Sequence, residues 1–151
     1  MWRKLSLADV DVRGKRVLMR VDFNVPQNGD GSVRDDTRIR EALRSIEYVR
    51  EHGGKLVLMT HLGRPKSGED NSKYMLDPIA DHLRAIIGGN VTKVDEVVGP
   101  AATAAVSAMR SGDVVLLENT RFHPGETKND SVLSAELAKL GDVYVSDAFG
   151  A

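Results

Sequence analysis

The stretch RVLMRVDFNVP, residues 16–26, decides how the rest of the chain is read. Its first six residues are mostly apolar and do not alternate strictly with polar ones. That pattern suits a short strand covered on both faces in a parallel sheet, where both sets of side chains meet apolar neighbours. At Asp22 the composition turns polar within one residue, and Pro26 stiffens the end of the segment. In open α/β sheets, ligands bind in loops of this kind, beyond the carboxyl ends of the strands. The unit recurs: KLVLMT (55–60) runs into HLGRP (61–65), DVVLL (113–117) into ENTRFHPG (118–125), and VYV (143–145) into SDAFG (146–150). VTKV (91–94) is a weaker strand, suited to an edge.

Between these runs lie four helical patterns with recognisable ends. In the first, Asp36 or Thr37 stands at the cap, Ile39, Ala42, Leu43, Ile46 and Val49 share one face, and Gly53-Gly54 stops it. Asp77-Pro78 opens the second as a cap followed by Pro at the first helical position. Ile79, Leu83, Ile86 and Ile87 follow, and Gly88-Gly89 ends it. The Ala-rich third starts near Pro100 and ends around Ser111-Gly112. A fourth begins near Asp130-Ser131, carries Leu133, Leu137 and Leu140, and stops at Gly141. Strand alternating with helix throughout predicts a three-layer α/β/α, Rossmann-like domain with a mainly parallel sheet. PQNGDGSVR (26–34) reads as a surface excursion built on Asn-Gly and Asp-Gly turns. It lacks the ligand spacing and closing Glu of a calcium loop.

At 151 residues the chain is long enough for one ordinary domain. Its 21 basic and 22 acidic residues leave a net charge of -1, so neither nucleic acid nor an anionic membrane is expected as a main partner. Cys is absent, and no apolar run is long enough to span a bilayer. Disulfides and thiol chemistry are excluded, and a cytoplasmic location is the expectation. His61 has no His or Cys neighbour at metal-ligand spacing, and His52, His82 and His123 do not supply one, so no metal site is expected.

If ligands bind beyond the strand ends, Arg64 and Arg121 fall on one rim, with His61 beside them. Arg38, in the first turn of the first helix, can join them. Its charge opposes the helix dipole there, a penalty that a bound phosphate or carboxylate would offset. The planar guanidinium suits both anions, often through paired hydrogen bonds. Asp22 and Asn24 could exchange hydrogen bonds with the hydroxyl groups of a small ligand. Taken singly, Arg64 and Arg121 fit a surface or structural role better, His61 fits a capping or packing role better, and Asp22 fits a turn cap as well as a ligand contact. Their convergence on one rim describes a pocket for a phosphorylated hydroxy acid, and the bland alternative stays open on periodicity alone.

DFNVP (22–26), DDTRI (35–39), THLGRP (60–65), GDVVLLENTRFHPGE (112–126) and GDVYVSDAFG (141–150) resemble, in order, the N-terminal-domain signatures of phosphoglycerate kinase. The resemblance covers nearly the whole chain and implies an N-terminal 3-phosphoglycerate-binding domain over residues 1–151. It assigns Asp22 and Asn24 to the substrate's hydroxyl and carboxylate end. Arg38 is assigned to the accepting carboxyl group and the phosphoryl group in flight, a catalytic role. His61, Arg64 and Arg121 would hold the anionic substrate, chiefly its existing phosphate. The implied reaction is reversible phosphoryl transfer between 1,3-bisphosphoglycerate and ADP, giving 3-phosphoglycerate and ATP in glycolysis. Ser146 and Ala151 depart from the residues common in the family, Asn and Thr, and neither is a site position.

The resemblance also implies a second, nucleotide-binding domain carrying the Mg-ATP or Mg-ADP site. No Gly-rich nucleotide fingerprint occurs in these 151 residues. The expectation is therefore a substrate-binding half without kinase activity of its own, which binds no nucleotide. A monomer is expected, its partner being the nucleotide-binding domain in cis. VYVSDAFGA (143–151) reads as an interrupted strand and loop, with a His-Arg motif and then the second domain expected to follow. Two rivals remain: a free-standing module for small phosphorylated acids, and a structural fragment that binds nothing well.

Overall fold

The structure is a computed structural model that describes residues 11–30, 32–60, 75–88, 91–119 and 131–146, with the backbone alone at 131–134 and 146. The elements follow in strict alternation. They are β1 (Arg16–Arg20), α1 (Thr37–Glu51), β2 (Lys55–Met59), α2 (Asp77–Ile87), β3 (Val91–Lys93), α3 (Pro100–Ser107), β4 (Val114–Leu116), α4 (Ser131–Ala138) and β5 (Val143–Ser146). All the strand pairs are parallel, and the sheet order is β3-β4-β2-β1-β5. Arg16 pairs with Lys55, Val17 with Val143, and Leu56 with Val114, so the strands start nearly level. β3 lies at an edge, as its weak pattern suggested.

The order of the strands explains the layers. From β1 to β2 and on to β3 the chain steps one way across the sheet; from β3 to β4 and on to β5 it steps the other way. Crossovers between parallel strands are right-handed, so opposite directions put the connecting helices on opposite faces. The two cores follow this rule. Val17, Met19, Leu56, Leu58, Val114 and Leu116 pack against Ile39, Ile46 and Val49 of α1 and Ile79 and Leu83 of α2. Leu18, Val57, Val115 and Leu117 pack against Ala102 and Val106 of α3 and against Leu137 and Leu140. Alternate strand residues serve opposite cores, which is why the strands read as continuous apolar runs.

Two expected helix caps differ in the structure. Asp36 occupies the N-cap of α1, but its carboxylate makes no capping bond and turns sideways to Arg40 and His82. Asp35 instead accepts from the amide and hydroxyl of Thr37, at 2.9 and 2.6 Å. Asp77 is the first residue of α2 rather than its cap. The N-cap is Leu76, whose N–H donates to Glu118 Oε1 at 3.0 Å. The third helix also ends early, at Ser107, with Met109 buried just beyond it.

The turn at Gly53-Gly54 brings α1 back into β2 at close range. Gly53 has φ of 79°, and a Cβ on Gly54 would lie 2.6 Å from Val49 Cγ1 and 3.2 Å from the Val49 carbonyl oxygen. Val49 is fully buried and cannot swing aside. Gly54→Ala is expected to cost roughly 1–3 kcal/mol through overpacking. The urea midpoint, at unchanged slope, measures it.

Candidate functional site

The site grows out of the end of β1. Beyond Arg20 the chain stays extended: Val21 N donates to Met59 O at 3.0 Å, and Phe23 N to Thr60 Oγ1 at 2.9 Å. Val17, Met19, Val21, Phe23 and Val25 all enter the core beneath α1 and α2. With a period of two, Arg20, Asp22 and Asn24 fall on the opposite side. The buried Phe23 thus separates two polar residues that must face the same way.

Arg38 closes over this segment. Its Nη1 donates to Asp22 Oδ1 at 3.1 Å and to the Asn24 carbonyl oxygen at 2.9 Å, while Asn24 N donates to Asp22 Oδ1 at 3.1 Å. The three residues expected here from the sequence therefore meet. The Arg38 and Asp22 side chains are half exposed, at 50% and 59%, so the pair is accessible to a ligand. A cleft of about 590 Å³ adjoins them, lined by Asn24, Val25, Pro26, Asp35, Thr37, Arg38 and Glu41. Asp35 and Glu41 make one wall negative, so positive charge in the lining comes from Arg38. His61, Arg64 and Arg121 lie outside the described residues.

Arg20 was not singled out from the sequence. It is exposed at the carboxyl end of β1, in register with Ser146 of β5, and makes no ion pair among the described residues. The signal was available: Arg20 stands two residues before Asp22 in an extended run.

Behind the rim lies a layer of buried polar groups. Thr60, Glu118 and Asn119 are each at most 2% exposed, so the first polar residues after β2 and β4 belong to the interior rather than the ligand surface. Glu118 Oε1 accepts from Leu76 N and Asn119 N, and its other oxygen takes a short hydrogen bond from Lys93 Nζ. Lys93 also meets Asp95 at 2.6 Å and Asp77 at 3.4 Å, with only 4% of its side chain exposed. Burial works against its ammonium, but hydrogen bonds to Asp95 and Glu118 and the charges of Glu118 and Asp77 outweigh that, holding its pKa above the ordinary value. Among the described residues, Asp77, Asp95 and Glu118 are the carboxylates close enough to share a cation, and Lys93 sits among them. The group does not fit a magnesium ion.

Several surface aspartates titrate low. The Thr37 hydroxyl and amide hold Asp35 below its ordinary value, and the hydrogen bond with His82, aided by Arg40, does so for Asp36. Arg16 does the same for Asp142, through its side chain and its amide. A depressed carboxylate contributes stability that is fully present above its unfolded pKa and is lost as pH falls through the folded one. The urea midpoint is therefore expected to fall as pH drops below the ordinary aspartate value of 3.8. A midpoint unchanged between pH 5 and 3 would contradict this.

Comparison with known proteins gives one consistent picture. The profile of the family described as phosphoglycerate kinase matches residues 7–151. The phosphoglycerate kinase of Chloroflexus aggregans is 54% identical over 149 residues, which cover 97% of this chain and 37% of that protein. That of Pseudothermotoga lettingae is 55% identical over 148 residues, 98% of this chain and 37% of the relative. Among solved structures, phosphoglycerate kinase from Pyrococcus horikoshii superposes with a TM-score of 0.82 at 32% identity, over 97% of this chain and 36% of that one. The Coxiella burnetii structure gives 0.81 at 29%, over 95% and 35%. The chain spans a little over a third of the length of these relatives. Among the described residues, no helix is long and apolar enough to cross a membrane.

Proposed function

The chain belongs to the phosphoglycerate kinase family, and from that we propose that it is the 3-phosphoglycerate-binding part of such a kinase. The observation that carries the reading is the meeting of Asp22, Asn24 and Arg38 at the carboxyl edge of the sheet. Asp22 and Asn24 take the hydroxyl and carboxylate end of the substrate. Arg38 approaches the carboxylate that accepts the phosphoryl group, and His61, Arg64 and Arg121 hold the existing phosphate. Arg20, on the same side as Asp22, adds positive charge to that rim.

The acceptor is a carboxylate, ionised at neutral pH, so no general base is needed. Catalysis then consists of positioning and of stabilising charge on the phosphoryl group in flight. Arg38 is held by Asp22. A bound carboxylate or phosphoryl oxygen competes with Asp22 for the same guanidinium, and the half-exposed pair gives it room to do so.

The nucleotide and its magnesium belong to a second domain in cis, and the whole protein transfers a phosphoryl group between 1,3-bisphosphoglycerate and ADP. A cytoplasmic, monomeric glycolytic enzyme is the setting we propose. Titrating the chain with 3-phosphoglycerate tests the reading. Saturable binding weakened by Arg38→Ala and by Arg64→Ala supports it, and no binding at millimolar ligand contradicts it. In a coupled assay the chain alone is expected to show no ATP-dependent turnover above background.

A further inference from the structure

Thr60 joins the loop after β1 to the end of β2, and we propose that its hydroxyl is the positioning group that fixes Asp22 and Asn24 for substrate. This rests on the reading just given, in which those two residues bind the hydroxy-acid end of 3-phosphoglycerate. They flank Phe23, which is held twice. Its ring is wholly buried in the core beneath α1 and α2, and its N–H donates to Thr60 Oγ1 at 2.9 Å. Thr60 itself is 2% exposed, so no bulk water stands ready to replace the bond.

The position of this bond gives it leverage. One step earlier the contact between the strands is an ordinary backbone bond, Val21 N to Met59 O. A regular parallel ladder would place the next acceptor on a backbone carbonyl further along. Here a side-chain oxygen accepts, and the Phe23 amide is satisfied at the point where the chain turns from β1 into the polar segment 22–24. Asp22 and Asn24 adjoin that amide on either side, and Arg38 Nη1 bonds to both of them. Without the acceptor, the buried N–H is satisfied most easily by lifting residues 22–24 toward water. That movement displaces both substrate-binding side chains and the Arg38 contact while leaving the core beneath α1 and α2 largely in place.

Thr60→Val keeps the shape and removes the acceptor; Thr60→Ser keeps the oxygen. Amide exchange at Phe23 and titration with 3-phosphoglycerate are the readouts. Thr60→Val is expected to raise Phe23 exchange at least about tenfold relative to amides of β2. Its affinity in the folded protein is expected to fall about tenfold, since small misplacements of positioning groups are costly. Thr60→Ser should stay within about twofold of wild type on both counts. A hydroxyl that only stabilised the fold would shift the urea midpoint without changing the affinity of the folded fraction, and that result overturns the proposal. Unchanged Phe23 exchange in Thr60→Val overturns it as well. If Thr60→Val does not fold, Thr60→Ala replaces it with the same readouts and the same deciding results. If the wild-type chain binds no 3-phosphoglycerate, the functional reading falls. The exchange measurement then still decides whether Thr60 fixes the loop.

Discussion

Replacing Lys93 with Met is expected to remove about 3–5 kcal/mol of stability, the usual cost of leaving one member of a buried ion pair without its partner. The Lys93 and Glu118 side chains are 4% and 3% exposed, so the surviving carboxylate cannot turn to solvent. Its two backbone donors, Leu76 N and Asn119 N, satisfy hydrogen bonds and leave the charge uncompensated. Asp77 and Asp95, with side chains 55% and 78% exposed, add little to the loss because water already screens them. A domain of this size has roughly 5–15 kcal/mol in all, so the variant should be close to unfolding. Two buried charges also cost desolvation energy, so Lys93→Met combined with Glu118→Gln, which removes the charge but keeps an oxygen for Leu76 N and Asn119 N, should recover much of the loss. Urea denaturation of the two single variants and the double variant decides it. A Lys93→Met midpoint equal to wild type would mean that the pair is not buried as described.

The second large effect is on chemistry. In a full-length kinase carrying this segment, Arg38→Ala is expected to lower kcat by roughly a thousandfold, the lower end of what an arginine on a transferring phosphoryl group supplies. The affinity for 3-phosphoglycerate should fall far less, because the existing phosphate is assigned to other residues. Stability should change little, since the Arg38–Asp22 pair is half exposed and such pairs contribute at most about 1 kcal/mol. Steady-state kinetics with 3-phosphoglycerate varied would show the split. A large rise in KM with unchanged kcat would instead make Arg38 a simple anion anchor.

These two residues also mark the limits of what could be read from the sequence. Arg38 was legible because its neighbours are local: an extended run places Asp22 and Asn24 together, and the first turn of α1 follows the same loop. The strands were legible for a similar reason, since burial on both faces leaves an uninterrupted apolar run. Lys93 was not. A lysine in a weak edge strand reads as solvated, and its burial depends on Glu118, 25 residues away. The capping hydrogen bonds were illegible in the same way. Asp36 stands at the N-cap of α1 and Asp77 one residue inside that of α2, both of a capping residue type, but His82 and Lys93, supplied by distant parts of the chain, bond to those carboxylates. Local patterns identify what a residue can do, while long-range partners choose among its options. The buried Thr60, Glu118 and Asn119 belong to the same class, because a polar residue after a strand reads as rim until its neighbours are known.

The most direct test of the central claim is a titration of this chain with 3-phosphoglycerate, following the amides of Asp22, Asn24 and Arg38 by NMR. Saturable shifts of all three, with an apparent Kd of about 1 mM or tighter and weakened by Arg38→Ala, are the expected result. A folded chain whose three amides stay still at millimolar ligand would contradict the account.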